Sequence, residues 1–265
     1  MNKIIGFIGC GNMGGAIAEA VSKASTGTEV WLSDPCAQKV NELSSKIGAK
    51  PSDNQEISKN ADIIFLAVKP QIIGDVINEI KDTISDSVLI VSMAAGVSMS
   101  KIEGFFQRNI SLIRIMPNTP VSVGEGMILY DANSLVSSEL EEFFTTVMSK
   151  AGKLDKIAEK LIDAASALSG CGPAFVYMFI EALADGGVAC GLPRDKALAY
   201  ATQTLLGSSK LLAETNKHPG ELKDAVCSPG GSTIMGVKAL ENGSLRGTVI
   251  NAVSEAFAKT KELGK

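Results

Sequence analysis

The sequence predicts an α/β chain: a doubly wound parallel sheet over residues 1–155, followed by an all-α C-terminal half over 156–265. Three observations carry this. Short β-branched runs alternate with helical stretches of about a dozen residues through the first half, the pattern of βαβ units. A glycine-rich turn, "GCGNMG" (9–14), joins the first strand to the first helix. After "AGKLDKIAEK" (151–160) no β-branched run bounded by turns remains, and helical spacing takes over.

The elements follow in order. "KIIGFIG" (3–9) is short, apolar and β-branched, like a parallel strand buried on both faces. "NMGGAIAEAVSKA" (12–24) is an alanine-rich helix, "EVWLSD" (29–34) a second strand and "AQKVNELSSKI" (37–47) a second helix. Strands at "ADIIFLAV" (61–68), "SVLIVSM" (87–93) and "SLIRIMP" (111–117) alternate with helices over 71–82 and 98–107. Parallel neighbours require such crossovers. In the second half, 161–170, 172–191, 194–215, 231–242 and 244–264 suit helices. Pro173, Pro193 and Pro219 fall at or near helix starts, where a missing N–H is harmless.

Composition bounds the function. Hydrophobic residues make up 45% and charged residues 20% of 265, with a formal net charge of -4. That is a soluble globular balance; it argues against disorder and against a nucleic-acid surface. Five scattered cysteines, no CxxC and a single histidine argue against a metal site or disulfide framework and for a cytoplasmic setting. The most apolar run, "AFVYMFI" (174–180), is soon followed by Glu181 and Asp185, so no membrane span is expected. The N-terminus leads straight into a strand, without a leader pattern. "FVYMFIEALADGGVA" (175–189) is apolar around most of its circumference, which predicts a homo-oligomer built by the helical half.

The glycine turn points to a dinucleotide. Gly9 permits the tight turn, Gly11 lets a pyrophosphate approach the backbone, and Gly14 lets helix and strand pack closely. The helix N-terminus offers free N–H groups and partial positive charge. Asp34, at the end of the second strand, stands where an acidic residue holds ribose hydroxyls. A turn that merely joins strand to helix would need none of this context. The result is a Rossmann-type site for NADPH or NADH. "AVKP" (67–70), "SMAAGV" (92–97) and "MPNTP" (116–120) leave the carboxyl ends of later strands, where the ligand of a doubly wound sheet lies. Taken singly, each is ordinary turn chemistry.

The chemistry facing the cofactor lacks strong acids. His218, before Pro219, reads as a capping or packing residue. An alkoxide product needs a proton donor, whereas an imine nitrogen arrives protonated and accepts hydride with less help. "SPGGST" (228–233) at a helix N-terminus offers backbone N–H groups and two hydroxyls, suited to a small carboxylate. It has no lysine of the kind a nucleotide-binding P-loop carries. The plain alternative is a Pro-Gly turn with Ser232 as the helix cap. On the first reading the Thr233 hydroxyl points at the nitrogen beside the carboxylate and is the catalytic side chain.

"GFIGCGNMGGAIA", "LAVKPQII", "AAGVS", "MPNTPVSVGEG", "LSGCGPAFVYMFIEALADGGVACGLPR" and "HPGELKDAVCSPGGSTIMGVKALE" resemble the pyrroline-5-carboxylate reductases, over essentially the whole chain. The resemblance implies hydride transfer from NAD(P)H to the C=N bond of 1-pyrroline-5-carboxylate, giving L-proline. It implies cofactor contacts from Ile8, Gly9, Cys10, Gly11, Asn12, Met13, Ser33, Asp34, Asn54, Ala67, Val68, Lys69, Pro70, Ala94, Ala95 and Gly96. It implies substrate contacts from Asn118, Ala225, Ser228, Gly230, Gly231, Ser232 and Thr233. A homodimer through the helical half, assembled in some members to a decamer, is implied as well. Two positions depart from the family's pattern: Asp34, where members preferring NADPH often carry serine or another uncharged residue, and Asn216, where some carry glutamate. A β-hydroxyacid dehydrogenase shares the two-part plan, but its lysine would stand where "GCGPAFV" has Val176. A non-catalytic NADP(H) sensor would need no second cradle.

Overall fold

The computed structural model describes residues 3–24 and 27–263. In the interior of its sheet lies β1 (Lys3–Ile8), flanked by β2 (Thr28–Ser33) and β4 (Ile63–Leu66). Outward on one side is β3 (Lys50–Pro51); on the other follow β5 (Leu89–Ser92), β6 (Ser111–Met116), β7 (Gly126–Ala132) and β8 (Gly152–Lys156). The order is β3-β2-β1-β4-β5-β6-β7-β8. The helices around it are α1 (Asn12–Ala24), α2 (Ala37–Ile47), α3 (Asn54–Asn60), α4 (Ile73–Ile80), α5 (Met99–Phe106), α6 (Ser138–Val147) and α7 (Glu159–Ser169).

Both faces of the sheet are covered, which explains its continuous apolar strands. Ile5 and Phe7 lie with Ile63 and Phe65 in one core layer, where the two phenyl rings stack 4.6 Å apart. The intervening Ile8, Ile64 and Leu66 enter the opposite layer with Ile57, Ile77 and Ile102. The parallel register pairs Ile8 with both Ser33 and Leu66, and Leu66 with Ser92. The ends of β2, β1, β4 and β5 are therefore level, and their turns emerge along one edge.

Three features differ from the sequence expectation. The sheet does not stop at β6: β7 runs antiparallel to it, and β8 then pairs parallel to β7. A 3-10 turn at Thr119–Val123 makes that reversal, with Val121 packed into the core. The compact unit containing the sheet runs to Cys171 and includes Ala256–Lys265, rather than ending at 155, while Gly172–Glu255 forms a second unit. The physical reason is α7, whose Ile162 is buried with Met116 of β6 and Leu129 of β7. Finally, the 31-residue stretch Glu159–Ala189, whose most apolar 18-residue window has mean hydropathy 1.4, is long and apolar enough by composition to cross a membrane. The heptapeptide 174–180 understated it, because alanine and glycine on either side extend the apolar run.

The second unit holds α8 (Gly172–Ala189), α9 (Arg194–Thr215), α10 (Pro219–Val226) and α11 (Ser232–Asn242), and α12 (Leu245–Leu263) begins in it. Ala184 of α8 packs on Ala197 and Ala201 of α9, small residues that bring the helices close. α10 and α11 bury none of their described residues. Tyr177 and Met178 stay 60% and 69% exposed, an apolar face that the chain by itself leaves uncovered.

Candidate active site

The glycine turn is a backbone fitting. Gly9 sits at φ 105°, and a Cβ there would come within 2.5 Å of the Ala67 carbonyl oxygen. A Cβ on Gly14 would overlap the Gly9 carbonyl oxygen. Gly11 is the opposite case: nothing lies within 4 Å of where its Cβ would be. The turn thus closes tightly on the sheet and stays open outward, at the N-terminus of α1. The Gly9 N–H donates to the Ser33 carbonyl at 2.8 Å, and the Ala67 N–H to the Ile8 carbonyl at 2.8 Å. A cleft of about 420 Å³ beside it is lined by Cys10, Gly11, Asn12 and Lys39, among others. An outward-open backbone cradle at a helix N-terminus fits a dinucleotide's pyrophosphate.

Asp34 is engaged on both oxygens. Oδ2 accepts the Cys10 N–H at 2.8 Å and Oδ1 the Cys36 N–H at 2.9 Å, so the carboxylate ties the glycine turn to the start of α2. Ser33 Oγ donates to Asn54 Oδ1 at 2.7 Å, and Asn54 Nδ2 donates to Glu79 Oε2 at 2.7 Å, which fixes the amide's orientation. Lys69 is exposed and precedes the 3-10 turn Pro70–Ile72. The Ala94–Gly96 turn is closed by the Val97 N–H on the Ala94 carbonyl at 3.3 Å. The structure brings these turns together along the ends of adjacent strands, with Met13 half-buried behind them. Two of the expected cofactor residues offer backbone rather than side chain. Ile8 and Ala94 are buried in the core, whereas Ala95 is exposed.

Asn118, expected at the substrate, is 9% exposed and spends both ends of its amide on the protein. Nδ2 donates to the Ser169 carbonyl at 2.9 Å and Oδ1 accepts the Met127 N–H at 2.9 Å. It joins the end of β6, the start of β7 and the end of α7.

In the helical unit, Ser228 to Gly231 form a turn closed by the Gly231 N–H on the Ser228 carbonyl at 3.0 Å. Gly230 takes φ 68°, a left-handed conformation that glycine supplies without strain. Gly231 is the N-cap of α11 and makes no side-chain cap bond, so Ser232 is the first helical residue rather than the cap. Ser232 and Thr233 are exposed, and neither hydroxyl is hydrogen-bonded among the described residues. Ala225 is exposed near the end of α10. His218 caps α10, its Nδ1 accepting the Gly220 N–H at 3.1 Å, which matches the expected capping role. Asn216 terminates α9 in a left-handed conformation at φ 51°.

Two weak acids are held protonated. Burial, then the charge of Asp34, push the Cys10 thiol up to about 12, against a smaller opposing effect of Lys39. Burial and the bond to Glu141 likewise push Tyr130 up to about 12. The unfolded chain releases these protons first, near pH 9 and 10, so their contribution is whole below pH 9 and lost as pH rises towards 12. The urea midpoint should therefore be lower at pH 10.5 than at pH 8 (about, on this linkage), and Cys10→Ala with Tyr130→Phe should flatten the difference. An equal drop in that double variant would assign the effect elsewhere.

The sequence reading missed Arg114, Glu159 and Asp163. Arg114 is 4% exposed on β6, paired with Glu159 at 3.2 Å and Asp163 at 2.7 Å on α7. The signal was present: a cation inside the apolar run "SLIRIM" demands buried counter-charges.

Comparison with known proteins settles the family. A family model described as pyrroline-5-carboxylate reductase dimerisation matches residues 159–263. One described as NADP oxidoreductase, coenzyme F420-dependent, matches residues 4–96. Pyrroline-5-carboxylate reductase of Escherichia coli (strain K12) is 41% identical over 268 aligned residues, covering 100% of both chains. The chain belongs to the pyrroline-5-carboxylate reductase family. Among solved structures, the Plasmodium falciparum reductase with NADP bound has TM-score 0.90 and 37% identity, covering 100% of this chain and 99% of that one. The Coxiella burnetii reductase has TM-score 0.92 and 33% identity, covering 100% of each. The family's dimerisation region takes in α8 and its exposed apolar face, so the chain is a homo-oligomer acting on a small molecule. The same region includes the whole of the stretch Glu159–Ala189.

Proposed function

We propose that the protein reduces 1-pyrroline-5-carboxylate to L-proline with NADPH or NADH. The observation that carries this is the "SPGGST" turn at the start of α11, set on a chain whose first unit already has a dinucleotide cradle. The free N–H groups of α11 hold the substrate carboxylate, aided by Ser228 and the Gly230–Gly231 backbone. When bound, the dinucleotide supplies the hydride. The glycine turn and the N-terminus of α1 hold its pyrophosphate, Asn54 and Ser33 border its ribose, and the small Ala94–Gly96 turn admits its reactive ring. The unbonded Thr233 hydroxyl orients the ring nitrogen and relays its proton. Dimers through the helical half, assembled further to a decamer, complete the reading. Five unpaired cysteines suit a cytoplasmic protein that lies in no membrane.

Purified protein should oxidise NADPH in proportion to added 1-pyrroline-5-carboxylate, with proline as product. Cofactor binding without turnover would favour a sensor instead. Oxidation of β-hydroxyacids would favour the dehydrogenase.

Asp34 makes cofactor choice testable. Its carboxylate accepts a bond from a ribose 2′-OH but repels a 2′-phosphate. NADH should be used appreciably, and Asp34→Ser should raise the NADPH/NADH ratio of kcat/KM about tenfold, the scale of a screened like-charge contact. Both absolute affinities should fall slightly, because the Cys10 N–H loses its acceptor. An unchanged ratio would show that Asp34 does not face the ribose.

A further inference from the structure

Arg114 and its acidic partners form a network whose energetics are unlike those of a stability device. The guanidinium is almost wholly buried and its Nε has no partner among the described residues. Buried, incompletely paired cations are costly, and an apolar replacement of similar volume is often as stable. What the network does is geometric. Asp131, opposite Arg114 in the β6–β7 register, accepts the Glu159 N–H at 2.6 Å and so caps α7. The Glu159 carboxylate, held by Arg114, then uses its Oε1 to accept the Met99 N–H at 2.6 Å. Met99 is the first residue of α5, and its N–H has no acceptor within that helix.

This ties Glu159 to the residue that begins α5, three positions after the Ala94–Gly96 turn. At its front the turn is anchored by β5, whose Ser92 pairs with Arg114 across the sheet. At its rear it runs into Ser98 and Met99, where Glu159 holds the helix start. Asp163 pairs with the same guanidinium but makes no bond to α5.

We propose that Glu159 is a positioning residue for the Ala94–Gly96 turn, pinning the start of α5 so that the turn keeps the shape that receives the cofactor. The inference rests on the cofactor reading above.

The test compares carboxylates that share Arg114. NADPH affinity is measured by fluorescence titration and stability by thermal melting. Glu159→Ala should weaken NADPH binding about five- to tenfold, the range of couplings carried through packed networks. Asp163→Ala should stay within about twofold although it also strips Arg114 of a partner. Glu159→Gln, which keeps an acceptor for Met99, should recover most of the loss. Should Glu159→Ala fail to fold, Met99→Pro removes the N–H at a position where proline suits a helix. It should weaken binding as Glu159→Ala would, whereas Met99→Ala should not. Equal losses in the Glu159 and Asp163 variants, or in the two Met99 variants, would overturn the inference and leave the cofactor reading standing. Wild-type protein that binds no NADPH would overturn both.

Discussion

Thr233→Ala is expected to lower kcat by roughly a hundredfold while KM changes little, the signature of losing a positioned proton-transfer group. The expectation follows from where the residue sits. Thr233 is the second residue of α11, exposed, with its hydroxyl unbonded among the described residues, while the proposed anion cradle beside it is built from backbone. Alanine removes the hydroxyl and leaves those N–H groups in place, so the substrate carboxylate keeps its partners. On the proposed reading, the ring nitrogen loses charge as it passes from iminium to amine, and the hydroxyl follows the change. Thr233→Ser should recover much of the rate. Ser232→Ala should do less harm, because its hydroxyl caps nothing in the fold. Steady-state kinetics on the three variants decide the matter: near-normal kcat with a raised KM in Thr233→Ala would reduce the residue to a binding role.

The glycine turn gives the second large effect, split between neighbours. Gly14→Ala should cost about 1–3 kcal/mol of stability or more, lowering Tm by roughly 5–10 °C. Its Cβ would collide with the Gly9 carbonyl and approach the Ala67 Cβ at 2.7 Å, and neither is a flexible side-chain end. Gly11→Ala meets nothing within 4 Å, so its Tm should match the wild type. That methyl would instead occupy the space in which a pyrophosphate reaches the N–H groups. Losing one charge-assisted bond there should weaken NADPH about ten- to hundredfold. Calorimetric titration and thermal melting read both quantities. A Gly11→Ala protein with full affinity would show that the phosphates lie elsewhere.

The parts legible in the sequence were those written in a repeating pattern. β1, β2, β4, β5 and β6 are apolar runs, and "GCGNMG" carries its structural requirement in its glycines. The missed elements have weaker signatures. β8 reads "GKLDK", with charges on a sheet edge that need not be apolar, and α3 is a single short helix capped by Asp53. The antiparallel turn into β7 depends on a 3-10 segment, which leaves no periodicity. α7 was assigned to the helical half because spacing identifies a helix without naming its neighbour; its berth is set by Ile162 and Arg114. Asn118 shows the corresponding limit at the site. The family resemblance implies that it meets the substrate, while its amide also ties Ser169 to Met127, a structural role that nothing in the sequence pattern shows.

The strand order has a consequence for how the chain is made. β1 emerges first and lies inside the sheet; β2 and β3 extend one side, and β4 through β8 extend the other in sequence. Every new strand meets an edge already present, and none has to push between two earlier ones. A ribosome releasing this chain can therefore lay down the sheet by addition alone, each arrival covering the edge that would otherwise invite pairing with another nascent chain. The turns after β1, β2, β4 and β5, where we propose the cofactor to lie, stand complete while the helices of the family's dimerisation region are still unmade.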